Sequence, residues 1–139
     1  MTGAPARLVL DNEAVQALRD PAHRKHRRAL AFLEAIVSGG RGRATPVVPT
    51  AVRVEAAWDR RVAGAAAINR LRVTDAPLDR AGADRAAALV AALRISVADA
   101  HIGAVVATMP GSCAVLTSDV DDVGRIVRHL DVPVRAVAL

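Results

Sequence analysis

Four acidic residues of this chain stand where carboxylate chemistry is easily built. Asp11 and Asp119 follow short apolar runs, Asp99 opens one, and Glu55 interrupts an apolar stretch. Carboxylates at the carboxyl ends of buried strands point into the crevice where open α/β sheets bind ligands. When they converge they repel, by about 4 kcal/mol per pair at roughly 4 Å, unless a cation holds them together. These acids predict a divalent-metal site of oxygen ligands, which favour Mg²⁺ or Mn²⁺ over zinc or copper.

Three of the acids also have a purely structural interpretation. Asp11 is a good N-cap for a following helix. Ser96 and Asp99 match a capping box, in which the aspartate bonds back to the serine amide. Asp119 and Asp122 suit the first turn of a helix, where acids complement the helix dipole. Each residue alone is therefore compatible with capping, and the metal-site interpretation depends on their joint arrangement.

Glu55 has a weaker structural explanation. Its helical neighbours are Ala51, Trp58 and Val62, which predicts that its side chain lies on a core-facing stripe. An unpaired charge there is costly, so Glu55 needs a cation or a proton. An ion pair with a nearby arginine is the remaining structural alternative.

These acids must be positioned by an alternation of short β-rich runs and alanine-rich helical stretches. This alternation predicts an α/β fold with a parallel sheet and helices on both faces. Predicted strands cover residues 7–10, 45–48, 72–76, 113–117 and 134–138, and predicted helices cover 12–18, 21–37, 51–63 (capped by Thr50), 65–71, 80–93 (capped by Asp79), 97–109 (capped by Ser96) and 120–130. A glycine-rich loop is expected at residues 39–42. With no repeat or linker, residues 1–139 are expected to form a single domain.

The composition narrows the functional classes. The 139 residues are 53% hydrophobic, and Phe32 and Trp58 are the only aromatic residues. No apolar run reaches the roughly 18 residues of a membrane span, and no signal-peptide pattern precedes the first strand, so we expect a cytoplasmic protein without membrane contact. The single cysteine, Cys113, excludes an internal disulfide and a cysteine-rich zinc site.

The net charge of +5 is carried almost entirely by arginine. A basic chain with an acidic cleft suits a polyanionic ligand, but a GC-rich genome would produce the same arginine bias. The basic run at residues 23–28 likewise suits phosphate contact or a solvated helix face. Charge alone leaves both alternatives open.

The acidic motifs together resemble the PIN-domain nucleases, and more closely the VapC-type toxins of bacterial VapBC toxin–antitoxin pairs. The resemblance covers essentially the whole chain, through residues 8–11, 54–55, 96–104 and 116–122. It implies a three-layer α/β/α domain with a central parallel sheet of four to five strands. Two positions depart from the family: Asn12 stands where Thr or Ser is usual, and Val123 where Phe is common.

The resemblance also implies that the chain is an Mg²⁺- or Mn²⁺-dependent endoribonuclease. Asp11, Asp99 and Asp119 would hold the metal, and Glu55 would position or deprotonate the attacking water. Thr117 and Asp122 would support them, Asp122 by completing a second metal position or by buttressing Thr117. The implied partners are an RNA substrate, a cognate VapB-like antitoxin and a second copy of the chain in a homodimer.

Other functions remain open at this stage. A receiver-like module would bind Mg²⁺ without cutting, but receivers need a lysine at the end of a late strand, and the only lysine here, Lys25, lies in an early helix. A degenerate PIN scaffold would bind proteins only, and a metal-dependent phosphatase would act on small substrates. His101 is about 200° around its helix from Asp99, so we expect it to be a packing or surface residue.

Overall fold

A computed structural model describes residues 7–38, 44–109 and 112–139. Its five strands form one parallel sheet in the order β3-β2-β1-β4-β5. The strands are β1 (Arg7–Leu10), β2 (Thr45–Pro49), β3 (Thr74–Ala76), β4 (Cys113–Thr117) and β5 (Val134–Ala138). The helices are α1 (Asn12–Arg19), α2 (His26–Ser38), α3 (Thr50–Glu55), α4 (Ala66–Asn69), α5 (Arg80–Leu93), α6 (Val97–Val106) and α7 (Val120–Leu130). The predicted three-layer α/β/α fold is confirmed.

The central strands are apolar because helices cover the sheet on both faces. Leu8, Val9 and Leu10 of β1 are fully buried, as expected for a parallel sheet without a solvated face. The connection from β1 leads to β2 on one side, whereas the chain returns to β4 on the other. The sheet therefore has its topological switch point between β1 and β4, where open α/β sheets bind ligands.

Four helices begin at side-chain caps that the sequence predicts. Each cap oxygen accepts a hydrogen bond from an amide three residues on: Asp11 from Ala14 at 2.8 Å, Asp79 from Gly82 at 2.7 Å, Ser96 from Asp99 at 3.1 Å and Asp119 from Asp122 at 3.0 Å. These bonds satisfy amides that have no partner within the helix. Asp11 and Asp119 are themselves predicted site residues, and Ser96 caps the helix whose first turn contains Asp99. The helix caps therefore help to determine where the site residues lie.

The prediction of a helix over residues 51–63 is wrong. Helix α3 ends at Glu55, and Ala57 then adopts a left-handed conformation with φ of 53°. The predicted cap is also wrong, because Pro49 occupies the N-cap position and Thr50 is helical. The Thr50 hydroxyl instead accepts a hydrogen bond from the amide of Leu78 at 3.1 Å.

Other element boundaries differ by a few residues. Helix α2 begins at His26 rather than residue 21, and the predicted helix 65–71 is a 3₁₀ turn at Ala63–Ala65 followed by the short helix α4. Strand β3 covers only Thr74–Ala76 of the predicted 72–76. The predicted loop at residues 39–42, and Pro110 and Gly111 after the predicted end of the sixth helix, lie outside the described residues.

Helix α6 is the central helix of the core. Every residue from Ala100 to Val106 is buried, including Gly103 and His101. No single helix in the described ranges is long and apolar enough to cross a membrane; α5 and α6 pass that test by length and composition only as a pair bent by 120°. Because Asp99 lies in the first turn of α6, the packing of this helix determines where that carboxylate lies.

Gly103 allows α6 to approach its neighbours closely, and its replacement gives a first prediction. A Cβ at this position would lie 2.5 Å from Leu89 Cδ1 of α5 and 2.9 Å from Ile126 Cγ2 of α7. We expect Gly103→Ala to lower the free energy of unfolding in urea by about 1–3 kcal/mol, because overpacking outweighs the better helix propensity of alanine.

The matched control is Gly124→Ala in α7. There the new Cβ would meet only the Arg128 guanidinium, at 3.1 Å, which is the movable end of a flexible side chain. This variant should be as stable as the wild type or more so, by up to about 1 kcal/mol. A Gly103→Ala protein as stable as the Gly124→Ala protein would contradict the close packing of α6.

Candidate metal and catalytic site

Asp11 and Asp119 lie side by side because their strands are neighbours. Strands β1 and β4 pair in parallel with Leu10 opposite Leu116, and the Asp11 amide donates to the Leu116 carbonyl at 3.2 Å. Each aspartate comes just after its strand, so both lie at the carboxyl edge of the sheet, at its switch point. The sequence prediction that these acids follow buried strands is confirmed.

Asp11 lies deepest of the site acids, with 8% of its surface exposed. Burial raises the pKa of its carboxyl group, and the nearby charge of Asp99 raises it further. Hydrogen bonds from the Thr117 hydroxyl and from the Ala14 and Ser118 amides act in the opposite direction. Asp11 is therefore a desolvated carboxylate held by donors on both flanking segments.

Asp99 approaches the same crevice from the first turn of α6. Burial raises the pKa of its carboxyl group, and the charges of Asp122 and Asp119 raise it further, against a hydrogen bond from Ser96. The helix cap uses the Asp99 backbone amide, which donates to Ser96 Oγ. Capping therefore does not require the Asp99 carboxylate.

Asp119 and Asp122 form the exposed side of the cluster. The Asp119 carboxylate caps α7, and its amide donates to Thr117 Oγ1 at 2.9 Å. The Asp122 carboxylate lies 4.0 Å from Arg125 and is half-exposed. Thr117 is thus held through Asp11 and the Asp119 amide, and no described contact supports the predicted buttressing by Asp122.

Glu55 lies in a different environment from the one predicted. Its side chain is exposed at the last residue of α3, whereas Trp58 lies beyond the helix and Val62 is 47% exposed. The prediction of an apolar stripe around Glu55 is therefore wrong, because the helix ends at Glu55 and does not continue to Trp58 and Val62. Among the described residues no arginine lies within ion-pair distance of Glu55, which also removes the salt-bridge alternative.

Asn12 connects Glu55 to the aspartates. Its Nδ2 donates to Glu55 Oε1 at 3.1 Å, and Asn12 is the residue directly after Asp11. In the sequence, Asn12 stands out only as a departure from the family pattern, and this contact is not predicted. Its position beside Asp11 was the available signal, but the partner 43 residues away becomes visible only in the fold.

The carboxylates share one crevice but do not form a closed ligand set. Within the described ranges, no group of three His, Cys, Asp or Glu side chains is gathered tightly enough to hold a metal ion. The oxygen donors fit a hard cation that retains water ligands, because Mg²⁺ is bound through few carboxylates together with waters and substrate phosphates.

His101 is a packing residue, one of the two expected alternatives. It is 1% exposed, and its Nδ1 accepts a hydrogen bond from the amide of Ala51 at 3.2 Å. Burial lowers its pKa, so the ring is neutral at pH 7, with its second contact at the Pro77 carbonyl. Neutral His101 joins α6 to the start of α3 and contributes no charge to the acidic crevice.

The raised pKa of Asp11 leads to a prediction for the metal-free protein. A carboxyl group whose pKa is raised in the folded state favours folding when protonated. Its contribution is fully present below the unfolded value of 3.8 and is lost as pH rises through the folded pKa. Asn retains the cap bond to Ala14, so we expect Asp11→Asn to be more stable than the wild type at pH 7 in chelator. This advantage should shrink as the pH falls towards 4.

Urea denaturation of the wild type and the variant between pH 7 and pH 4, and of the control down to about pH 2, measures the differences. The control is Asp59→Asn, because Arg61 lowers the pKa of Asp59 to about 2 and the sign is opposite. Asp59 contributes stability above pH 3.8 that is lost as the pH falls towards 2. A pH-independent difference for Asp11→Asn would show that its charge is not destabilising in the metal-free fold.

No protein-family model and no curated protein matches the chain. The family stays a prediction from the motifs, and the case for a functional site depends on the geometry. That geometry brings together Asp11, Asp99, Asp119 and Asp122, and joins Glu55 to them through Asn12. Two pKa values raised by burial and like charge, at a sheet switch point, are typical of a functional site.

Proposed function

We propose that this chain is a metal-dependent endoribonuclease acting as the toxin of a type II toxin–antitoxin system. The observation that carries the catalytic part is a series of mutually repelling carboxylates, Asp11 with Asp99 and Asp99 with Asp119 and Asp122, beside the switch point between β1 and β4. The Asp11 and Asp119 carboxylates also cap helices, whereas the Asp99 carboxylate makes no cap bond, so a bound cation would explain why it lies beside charges that repel it. The toxin role is supported by the motif resemblance, which extends over essentially the whole chain.

The aspartates are the residues that would hold the cation. Asp11, Asp99 and Asp119 would bind Mg²⁺ or Mn²⁺ directly or through water, with Asp122 beside them. When bound, the cation would lower the pKa of a water molecule and neutralise charge on the scissile phosphate. The Thr117 hydroxyl and the Ala14 and Ser118 amides orient Asp11 within the crevice.

Glu55 is the candidate for proton transfer. Its exposed carboxylate accepts a hydrogen bond from Asn12 at one oxygen, and a carboxylate within reach of a water molecule acts as a general base. Glu55 would remove a proton from the water that adds to phosphorus, while the bond from phosphorus to a ribose oxygen breaks. The leaving ribose oxygen would take up a proton from solvent and become a hydroxyl of one RNA product, the phosphate would stay on the other product, and Glu55 would return its proton to solvent.

The surface charge supports a polyanionic substrate. The chain carries a net charge of +5, and three arginines are exposed around the start of α2: Arg24 just before the helix, and Arg27 and Arg28 in its first turn. Exposed arginines attract phosphates by screened electrostatics, without base recognition. An open crevice admits single strands or loops, the RNA forms that proteins read most readily. Few aromatic residues are present to stack bases, so backbone contacts should dominate.

Metal dependence is the direct test. We expect cleavage of an end-labelled RNA containing single-stranded loops in Mg²⁺ or Mn²⁺, no cleavage in chelator, and inhibition by Ca²⁺, whose longer bonds and looser coordination misplace the water. Asp119→Asn protein purified in parallel controls for trace ribonucleases. Full cleavage in chelator would contradict the mechanism.

The same samples separate the alternative functions. Hydrolysis of a generic phosphomonoester without RNA cleavage would indicate a phosphatase. Mg²⁺ binding with neither activity would indicate a non-catalytic module or scaffold.

The partners need a cellular test. The proposal includes a small antitoxin and a homodimer, both supported by the motif resemblance only. Expression of the wild type should arrest growth, whereas expression of Asp119→Asn should not, and co-expression of the neighbouring upstream reading frame should restore growth. Sedimentation of the purified chain would show whether it dimerises.

A further inference from the structure

Helix α1 carries a polar face directed at the end of α3. Asn12, Gln16 and Arg19 are separated by four and three positions, so they lie on the same side of the helix. The buried residues Ala14, Ala17 and Leu18 lie on the opposite side, and buried Val15 borders the polar face. The polar face therefore lies beside the core rather than within it, where its side chains reach the segment that contains Glu55.

Two consecutive hydrogen bonds run along this face to Glu55. Gln16 Nε2 donates to Asn12 Oδ1 at 3.0 Å, and Asn12 Nδ2 donates to Glu55 Oε1 at 3.1 Å. A carboxylate only accepts hydrogen bonds, so Asn12 must present its nitrogen to Glu55 and its oxygen to Gln16. Gln16 supplies the donor that holds the Asn12 amide in this orientation.

The same helix also holds the backbone next to Glu55. Arg19 Nη1 donates to the carbonyls of Ala56 and Ala57 at 2.6 and 3.0 Å. Ala57 adopts a left-handed conformation, which is unfavourable for an alanine. Contacts from α1 thus stabilise the turn that ends α3 directly after Glu55. Since Asp11 caps α1, one short helix connects the deepest aspartate to the glutamate.

We propose that Asn12 and Gln16 are positioning residues, which set the orientation of the Glu55 carboxylate relative to Asp11. This inference rests on the proposed nuclease function. Neither residue needs to contact RNA or metal. Their effect on the reaction passes through Glu55, which separates them from residues that only stabilise the fold.

A double-mutant cycle tests this dependence. Single-turnover RNA cleavage and KM are measured for the wild type, Asn12→Ala, Glu55→Gln and the double variant in Mg²⁺. We expect Asn12→Ala to slow cleavage about 10- to 100-fold with little change in KM, since a misplaced group costs rate rather than binding. In the Glu55→Gln background the same substitution should have little further effect. Additive losses, or a wild-type rate in Asn12→Ala, would overturn the inference.

Substitutions of Gln16 that nearly preserve its side-chain volume give a second test of the inference. Gln16→Glu removes the donor to Asn12 and adds a carboxylate that competes with Glu55 for Asn12 Nδ2, whereas Gln16→Met only removes the donor. We expect both variants to cleave more slowly, Gln16→Glu most of all, with melting temperatures near the wild type. Glu13→Gln, on the same helix and bonded to His23 at 3.1 Å, is the control and should retain the wild-type rate.

A spectroscopic readout in the metal-free protein does not depend on activity. The side-chain amide proton resonances of Asn12 should shift in both Glu55→Ala and Gln16→Met, because each variant removes one of its hydrogen-bond partners. Unchanged resonances would overturn the inference. Shifted resonances in a protein that cleaves no RNA would instead reject the nuclease function, and the positioning role with it. Cleavage by the wild type with unimpaired Asn12 and Gln16 variants would reject the positioning role alone.

Discussion

Asp99→Asn should abolish RNA cleavage without weakening the fold. The substitution removes one of the charges that would hold the cation and stabilise the transition state, an effect of several kcal/mol that corresponds to about 10³-fold or more in rate. The helix cap survives, because Ser96 Oγ accepts from the Asp99 amide and not from its side chain. Repulsion by Asp119 and Asp122 disappears, so melting temperature in chelator should hold or rise.

Asp79→Asn is the matched control for this prediction. Asp79 caps the preceding helix with its own carboxylate, which accepts a 2.7 Å bond from the Gly82 amide, and it lies outside the acidic cluster. Asparagine is an equally good cap, so this variant should cleave at the wild-type rate with little change in stability. A loss of stability in Asp99→Asn with activity retained would show that the Asp99 carboxylate has a structural role and no catalytic one.

The sheet and its flanking caps could be predicted because their signals are local. The short apolar runs give β1, β4 and β5 with the predicted bounds, and Asp79 and Ser96 start their helices as side-chain caps must. The convergence of Asp11 and Asp119 then follows from parallel pairing, which brings the ends of adjacent strands to one edge of the sheet.

The segment after Glu55 could not be predicted because tertiary contacts override its helix propensity. Arg53 and Arg60 stack on the Trp58 ring at 5.2 and 4.3 Å, and Asp75 bonds both arginines at 2.9 and 2.8 Å. Asp75 lies on β3, at least 15 residues from either arginine, so the sequence around Glu55 does not reveal this partner. The Trp58 ring is part of the hydrophobic core, and the two arginines lie over it.

The start of α2 shows the same limit on a smaller scale. The residues before His26 form turns, in which His23 pairs with Glu13 at 3.1 Å and the ring of His26 bonds the Ala17 carbonyl at 2.7 Å. Both contacts return to α1. Helical periodicity over residues 21–37 carries no information about them, and the predicted helix was therefore too long at its amino end.

The exposed position of Glu55 removes one argument for its role in the site and supplies another. The apolar neighbours of Glu55 in the sequence predict a costly buried charge, but the side chain is exposed and this cost does not arise. What connects Glu55 to the site is the bond from Asn12, together with the clamp of Arg19 on the turn that follows it. The case for Glu55 as a general base therefore depends on these contacts. It predicts that replacing Glu55 slows cleavage and leaves the stability of the fold nearly unchanged.

Glu55→Gln should reduce turnover by about 10²-fold or more, as expected for a lost general base. The amide retains an oxygen that accepts from Asn12, so the orientation of the side chain survives while its basicity is lost. Because Glu55 is exposed, the free energy of unfolding should change by no more than about 0.5 kcal/mol. A buried charge pair would instead lose about 3 kcal/mol on the same substitution.

Melting temperature and single-turnover rate, measured on one sample, test both parts together. Glu34→Gln is the control, because Glu34 is exposed on α2 and lies outside the acidic crevice. This variant should match Glu55→Gln in stability and the wild type in rate, so that the difference between the two glutamates isolates catalysis. If Glu55→Gln cleaved RNA at the wild-type rate per folded molecule, Glu55 would be a surface residue. Proton removal would then have to come from the aspartates that surround the crevice or from solvent.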